Sequence, residues 1–435
     1  MAGWSTVRGS LAALFLTVPA GGAALAACSG SSSGGGGGDA SADAPLQADC
    51  SSAGTSCSGT DTGAPGKDAS GKDGSSSDAG STADATDAAQ GDVDATAPDA
   101  HDAASLFPSD GGDCGVGPTG EPTELRCTGL YSDWDAKTVA QGNTTYDPGL
   151  HLWSDGADKT RWISLPPGTK IDTTDMDEWT FPVGTRIWKE FRLPLGDAGT
   201  ETRIETRLLW KLSTTQWYRT TYRWSADGES STVEEIDGEL DAGGTGYEVP
   251  SVAECNDCHD GRLDGVLGFE AVALSSAGAT PVTMQTLAAD GLITAAPSSP
   301  IVIPGDAVES AALAYLHTNC GIACHNPNGA ASFTQFYMRL DVGTLTSVQT
   351  TNAYTTGWGV MTTNFTIPGE PASYRIHACD LAESCAYYRP DHRDGLNGTQ
   401  PGTQMPPIDT HVIDSTGVAA IAAWITQGCA DAGGE

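Results

Sequence analysis

The sequence predicts an α+β fold, in which an antiparallel β-rich domain is followed by a mostly α-helical region, both preceded by a disordered tether. Three observations predict it. Alternating apolar and polar residues occupy much of residues 128–250, apolar residues at helical spacing appear further on, and the first quarter of the 435 residues lacks the apolar content to bury a core. We therefore expect a leader at 1–27, a tether at 28–113, a β-rich domain at 114–250 and a helical region at 251–430.

Residues 1–27 have the pattern of an export signal. Arg8 precedes an interrupted apolar run that ends in "LAAC" at Cys28. This ending resembles the lipobox of bacterial lipoproteins, which implies cleavage before Cys28 and a lipid anchor on its sulfur. The chain is then exported and membrane-anchored, at the outer membrane or cell surface, facing the periplasm or the exterior. An ordinary signal peptide, cut after an A-x-A-like site, is the alternative.

The predicted tether is strongly acidic. Residues 29–113 contain fifteen Asp, two Lys and neither Glu nor Arg, a composition typical of solvated, disordered chain. The whole chain has a formal net charge of −35, which argues against nucleic acid and against an anionic membrane surface as partners. Cys50 and Cys57 lie within the tether and are expected to form a small local disulfide.

Strand periodicity dominates the predicted β-rich domain. The stretch "TRIWKEFRL" places Ile187, Lys189, Phe191 and Leu193 on one side, and "WYRTTYRW" alternates in the same way. The segments "FPVGT" and "ADG" are turn signals beside these runs. The domain is also rich in tryptophan, which is more often core or rim packing than a sugar-binding face.

Two amphipathic helices are expected in the second half of the chain. In "DAVESAALAYLHTNC", Asp306 is the predicted N-cap, with Glu309 three residues later. In "DSTGVAAIAAWITQG", the cap is Asp414 or Ser415, and Gly428 is the predicted stop. A long loop-rich segment separates the two helices.

The stretch "AECNDCHDG" contains the spacing C-x-x-C-H at Cys255, Cys258 and His259. At a helix end, two such thiols can add to the two vinyl groups of one porphyrin, and the next imidazole can bind its iron. A redox-active disulfide has no use for the histidine, and half of a zinc site needs a matching second pair. The motif therefore predicts covalently bound haem.

A second motif, "NCGIACH", has one residue more, at Cys320, Cys324 and His325. One extra helical residue rotates the first cysteine by about 100° relative to the second, so the chain must bulge for both thiols to reach one porphyrin. The alternative is a Cys320–Cys324 disulfide in a domain without cofactor. Met405, in "GTQMPPID", is the expected sixth iron ligand opposite His325.

The ligand opposite His259 stays open, with Met284, His317, Met338, His377 or a vacant position as alternatives. The predicted iron ligands are therefore His259, His325 and Met405. Twelve cysteines are present, and after the lipid and two haems seven remain. Beyond the tether pair, we expect disulfides between Cys114 and Cys127 and between Cys379 and Cys385, which leaves Cys429 over.

Residues 152–429 resemble a family of bacterial dihaem c-type cytochromes with an N-terminal β-rich region. The matching stretches are, in order, "LWSDGADKTRWISLPPG", "FPVGTRIWKEF", "ETRLLW", "WYRTTYRW", "ECNDCH", "AYLHTNCGIACHNPNG", "IPGEPASYRIHA" and "MPPI". The resemblance implies two covalent haems and a cytochrome c-like helical region. This sequence departs from the pattern in the extra residue before Cys324 and in the insertion "CDLAESCAYYRPDHRDGLNGTQPGTQ".

The expected function is electron transfer through one or two haem c groups, with a redox partner protein that the sequence does not identify. Two other functions fit the same residues. One is a dihaem oxidoreductase of peroxidase type, which needs acid or base groups beside an open iron. The other is a haem-free, disulfide-stabilised surface lipoprotein that binds a glycan or a protein through the aromatic-rich sheet.

Overall fold

A computed structural model describes residues 114, 115, 117, 121–195, 199–394 and 402–432. The predicted leader and tether, with Cys28, Cys50 and Cys57, lie outside the described residues. A helix able to cross a bilayer, which must be both long and apolar, is not found in the described part of the chain.

The central element is a six-stranded antiparallel sheet in which each strand pairs with the next along the chain. A two-stranded sheet, β1 and β2, precedes it. The strands are β1 (Tyr131–Asp133), β2 (Thr138–Val139), β3 (Asn143–Tyr146), β4 (Asp158–Ser164), β5 (Arg186–Leu195), β6 (Thr200–Lys211), β7 (Trp217–Trp224) and β8 (Thr232–Glu235). Both strands predicted from alternation are present, as are the turns beside them, and Gly228 in "ADG" has a positive φ of 66°.

Both faces of the sheet are buried, because each packs against a different part of the chain. One face carries Trp162, Trp188 and Tyr222, which form a core with the N-terminal segment around Leu125. Five of the eight tryptophans in residues 114–250 are buried, so most of them pack in the core: Trp162, Trp179, Trp188, Trp210 and Trp224.

The helices follow the sheet in sequence and pack on its other face. They are α1 (Val252–His259), α2 (Ala271–Ser275), α3 (Met284–Ala289), α4 (Ala307–Leu316), α5 (Asn352–Gly357), α6 (Cys385–Tyr388) and α7 (Ser415–Ala432). One core cluster contains Ile187 of β5, Leu313 of α4 and Ile421 of α7. The α+β class is therefore confirmed, and the β-rich and helical regions share a hydrophobic core.

A buried carboxylate also joins the two regions. Asp264, which follows α1, accepts hydrogen bonds at 2.6 Å from the Lys211 ammonium and at 2.9 Å from the Trp217 indole N–H. Lys211 is only 1% exposed, so its charge is neutralised inside the protein rather than by water.

Two predictions near the C-terminus were wrong. Cys379 is bonded to Cys429, not to Cys385, whose thiol is free; the Cys114–Cys127 disulfide is confirmed. Gly428 does not end α7, which continues to Ala432. A Cβ on Gly428 would lie 2.6 Å from the Trp358 ring, so this glycine permits close packing within the helix.

Candidate functional site

The first cysteine motif lies on α1, which begins and ends as its sequence requires. Ser251 and Glu254 form a capping box, in which the Glu254 carboxylate accepts the Ser251 N–H at 2.8 Å. Arg219 of β7 fastens the helix to the sheet, donating to Asn256 Oδ1 at 2.7 Å and to Asp260 Oδ1 at 2.8 Å. Cys255 and Cys258 are thereby held beside the sheet.

His259 is positioned as an iron ligand needs to be. Its Nδ1 lies 2.5 Å from the Gly265 carbonyl oxygen, which can only accept, so Nδ1 carries the proton and Nε2 keeps its lone pair. Burial lowers the pKa of His259 to about 3. The ring is therefore neutral and oriented, and a backbone carbonyl on the second ring nitrogen is the usual arrangement for a metal-binding histidine.

The extra residue of the second motif is absorbed by a change of helix type. Helix α4 begins with the predicted cap, since Asp306 Oδ1 accepts from Glu309 N–H at 3.0 Å. After Leu316 the chain forms a π-helical turn, His317–Gly321, in which Ile322 N–H donates to His317 O at 2.8 Å. A π-turn accommodates one more residue than an α-turn, and such turns occur often at functional sites.

His325 repeats the arrangement of His259. Its Nδ1 donates to the Phe336 carbonyl oxygen at 2.9 Å, which leaves Nε2 available, and burial lowers the pKa of the ring. The neighbouring Asn326 is fully buried, and its amide donates to Gly321 O at 2.9 Å. This bond fixes the loop that carries Cys324 and His325.

A cavity that is partly open to solvent brings the second motif and Met405 together. Cys320, Cys324, His325 and Met405 all line it, and so do aromatic and aliphatic side chains such as Phe336 and Phe365. A mostly apolar wall with a few polar groups is typical of a site for an organic cofactor.

The segment that carries Met405 is fixed by the insertion. Asp394 accepts the N–H groups of Thr403 and Gln404 at 2.9 Å each, and Met405 N–H donates to Arg389 O at 3.1 Å. The insertion also supplies part of the cavity wall, through Cys385, Ala386, Arg389 and Pro390. It is therefore a structural part of this site, although its residues 395–401 lie outside the described chain.

Two arginines that the sequence did not mark out line the same cavity. Arg375 donates to Gln335 O at 2.8 Å and to Thr356 O at 2.7 Å, and Arg389 donates to Thr403 O at 2.9 Å. Carbonyls orient a guanidinium without cancelling its charge. The described residues that line the cavity include neither Asp nor Glu, so the cavity is cationic and suits an anionic ligand.

The two motifs touch each other. Interaction with Cys324 and burial raise the pKa of Cys258, because the two thiols lie close together. A Cβ on Gly261 would lie 1.7 Å from Ala323 O, so the loops meet at backbone contact. All four motif thiols are free, which leaves the alternative Cys320–Cys324 disulfide unformed.

The four motif cysteines do not converge as zinc would require. Among the described residues, the groups of three metal-binding side chains within reach of one ion are His377 with Asp380 and Glu383, and Glu248 with Glu254 and Asp409. Neither group contains a cysteine, whereas a structural zinc site needs four ligands around one point. The thiols are instead divided between two motifs, each of which ends in a histidine.

The alternatives for the ligand opposite His259 are placed as follows. Met284 is buried in the shared core. His317 accepts Leu340 N–H at 3.0 Å on Nδ1 and lies 3.3 Å from Glu270 on Nε2, so both its ring nitrogens are engaged. Met338 lines the cavity of the second motif, and His377 stacks on Tyr374 and pairs with Glu383.

An unusual carboxyl group lies beside the first motif. Burial raises the pKa of Asp409 to about 7, with Glu248 and Glu254 adding to the effect, and its Oδ1 is buried without a hydrogen-bond partner among the described residues. Its charge acts on the thiols of both Cys255 and Cys258. This group can exchange a proton near neutral pH.

Comparisons with protein-family models, with curated proteins and with solved structures found no match to the chain. The function proposed below therefore depends on the residues and their geometry alone.

Proposed function

We propose that the chain is an exported, membrane-anchored c-type cytochrome that transfers electrons through covalently bound haem. The observation that carries this proposal is the cavity lined by Cys320, Cys324, His325 and Met405. Met405 is about eighty residues from the cysteine motif in the sequence, yet it lines the same cavity. A pair of thiols, an imidazole and a thioether are the donor set that c-type haem uses.

The residues fit haem in their protonation states as well as in their identity. Cys320 and Cys324 supply thiols that can add across two vinyl groups, and the π-turn offers the spacing that their extra residue needs. The neutral His325 ring offers Nε2, and Met405 offers a thioether sulfur that raises the reduction potential. When bound, haem supplies a one-electron iron couple.

Charge gives a second, independent argument for fit. Haem carries two propionates, and the cavity of the second motif has two arginines, Arg375 and Arg389, with no carboxylate in its described lining. Cationic side chains fixed in advance neutralise such groups without reorganising. The balance of charge thus favours an anionic porphyrin over a neutral apolar ligand.

The surrounding helices also support a cytochrome c-like region. Helix α4 leads into the second motif, and α7 packs against it, with Gly417 so close to Tyr315 that a Cβ there would lie 1.8 Å from the ring. The Met405 segment lines the cavity of the motif that α4 leads into. A first helix leading into the haem motif, a loop with a thioether and a last helix across the first is the layout of a small cytochrome c domain.

A second candidate function, a dihaem oxidoreductase of peroxidase type, is favoured by Asp409. Such an enzyme needs a proton donor and acceptor beside an open iron, and Asp409 has a pKa of about 7 next to the first motif. The two functions differ in one measurable property, because an open iron at His259 binds added cyanide and turns over hydrogen peroxide, whereas a six-coordinate iron does neither.

The proposal is tested by counting covalent haem. We expect the full chain, produced in a host that attaches haem c, to retain two haem increments in the intact mass of the denatured, reduced protein, with a pyridine haemochrome spectrum of the two-thioether type. A mass without any haem increment would contradict the proposal. The same protein made without the attachment system serves as the control.

The expected lipid attachment at Cys28 gives a separate prediction. Cys28→Ser should move most of the protein from the membrane pellet to the soluble exported fraction, with haem content unchanged, because lipid on this sulfur is the expected membrane attachment. The measurement is fractionation after a high-salt wash, with Ser29→Ala as the control. Retention of Cys28→Ser in the pellet would place the attachment elsewhere.

A further inference from the structure

A row of cationic side chains crosses the sheet on the face that packs against the helices. Arg161 of β4 lies directly opposite Lys189 of β5, which lies opposite Arg207 of β6. Lys159, two residues before Arg161, points to the same face. Like charges placed opposite each other on adjacent strands destabilise a sheet unless something negative lies between them.

Three of the four cations lie around one aromatic ring. The Phe191 centroid lies 4.4 Å from the Arg207 guanidinium carbon, 5.0 Å from Lys189 Nζ and 6.0 Å from Lys159 Nζ. The same side chains are partly or fully buried, and Arg161 is only 6% exposed. Burial and the neighbouring cations together lower the pKa of Lys189, which shows how crowded the positive charge is.

The cations of the row differ in their partners. Arg207 pairs with Glu205 at 2.7 Å, and Arg161 lies 3.5 Å from Asp147, a carboxylate that also pairs with His151. Within the described residues Lys159 donates to the Leu152 carbonyl and forms no ion pair, and Lys189 has neither a hydrogen bond nor an ion pair. Asp158 and Asp414 act on Lys159, and Asp409 acts on Arg207, through their charges. The two lysines are therefore the cations of the row that lack a paired carboxylate.

The row faces the first cysteine motif. Arg219 of β7, on the strand next to Arg207, holds α1 against the sheet. The charge of Arg207 acts on Cys255, and those of Lys189 and Arg207 act on His259. A ligand held by this motif therefore lies within the field of the row.

We propose that the row formed by Lys159, Arg161, Lys189 and Arg207 binds the two propionates of the haem attached at Cys255, Cys258 and His259. This inference depends on the proposed function. Lys159 and Lys189, which form no ion pair within the described residues, can donate to the two propionates, and the ring of Phe191 supplies apolar contact beside them. At the second motif, Arg375 and Arg389 would bind the propionates in the same way. Each haem would then contact two or more cationic side chains from residues that are distant in the sequence.

Lys189→Met tests the proposal in the loaded full-length chain, because it removes the cation without a partner and keeps a similar side-chain length. Haem made from precursor labelled with ¹³C at the propionate carboxyls allows their infrared bands to be followed in reduced-minus-oxidised spectra. We expect Lys189→Met to shift the propionate bands of one haem and to lower its midpoint potential, while the other haem is unchanged.

Two variants serve as controls. Lys189→Arg keeps the charge and should retain the wild-type bands, and Lys170→Met removes an exposed lysine outside the row and should change nothing. Propionate bands that stay at their wild-type positions in Lys189→Met would overturn the inference. If Lys189→Met does not fold, Lys159→Met on the neighbouring strand tests the same row.

The outcomes also separate this inference from the proposed function. Absence of covalent haem at Cys255 and Cys258 in the wild type contradicts the function at this motif. Two haems per chain with unshifted propionate bands contradict only the cationic row as their receptor. A lower potential without a band shift counts against the row as well, since charge at a distance changes the potential without touching the propionates.

Discussion

Replacing Cys255 and Cys258 together by alanine should leave one haem on each chain, which stays attached when the protein is denatured. The reason is that Cys320 and Cys324 line one cavity with His325 and need no residue of the first motif for attachment. The expected mass therefore contains one haem increment instead of two. Because thioether bonds survive unfolding, the count does not depend on the stability of the variant.

The π-turn is the physical reason to expect attachment at a motif with an abnormal spacing. In a continuous α-helix, the extra residue would change the angle between Cys320 and Cys324 around the helix axis by about 100° from that of a C-x-x-C pair. Here Cys320 lies inside the π-turn, and its carbonyl oxygen accepts His325 N–H at 2.8 Å across five residues. The wider turn takes up the extra residue, and both thiols reach the same cavity.

The reciprocal variant completes the test. Cys320→Ala with Cys324→Ala should also retain one haem, now on the first motif, and the variant that lacks all four thiols should retain none. Cys385→Ala is the matched control, since Cys385 is a fifth free thiol and lines the same cavity without belonging to a motif. A colourless Cys255→Ala, Cys258→Ala protein would show that the longer motif binds no haem.

Local features were predictable from the sequence because they depend on neighbouring residues. Alternation identified β5 and β7, and the capping box at Asp306 was recognised from Glu309 three positions later. The juxtaposition of Met405 with His325 also agrees with the expectation, since both line one cavity. The expectation about Met405 came from the chemistry of haem iron ligands and not from the periodicity of the sequence.

Features made by distant parts of the chain were not predictable. Cys379 pairs with Cys429 across 50 residues, because the last turns of α7 pack beside Cys379, whose N–H donates to Ile425 O at 3.1 Å. Proximity in sequence had favoured Cys385, which instead faces the cavity. Arg375 and Arg389 carried no sequence signal either, since a charge becomes part of a site only when the fold places it there.

The row of cations shows a further limit of sequence patterns. Lys189 alternates correctly with Ile187 and Phe191, and the pattern predicts that all three share a face. It does not show that this face is buried against helices, or that Arg161 and Arg207 lie opposite Lys189. Cross-strand register, and not alternation along one strand, creates the positive charge.

Met405→Leu should lower the reduction potential of the second haem and leave that of the first nearly unchanged. Thioether ligation favours ferrous iron, and leucine fills similar volume without a donor atom. We expect a fall on the order of 0.1 to 0.3 V, a fraction of the roughly 0.8 V that axial ligands span. The weak absorption band at the red end of the visible spectrum that reports iron bound to thioether sulfur should disappear.

The structure provides a matched control in the same cavity. Met338 is the other thioether in the lining, but its N–H donates to His325 O at 2.8 Å, close to the Phe336 carbonyl that holds His325 Nδ1. Its backbone is therefore joined directly to the backbone of His325, whereas Met405 reaches the cavity from a separate segment. Met338→Leu should keep both the band and the potential. If Met338→Leu removes the band and Met405→Leu does not, Met405 is not the ligand, and the insertion that holds its segment shapes the cavity for another purpose.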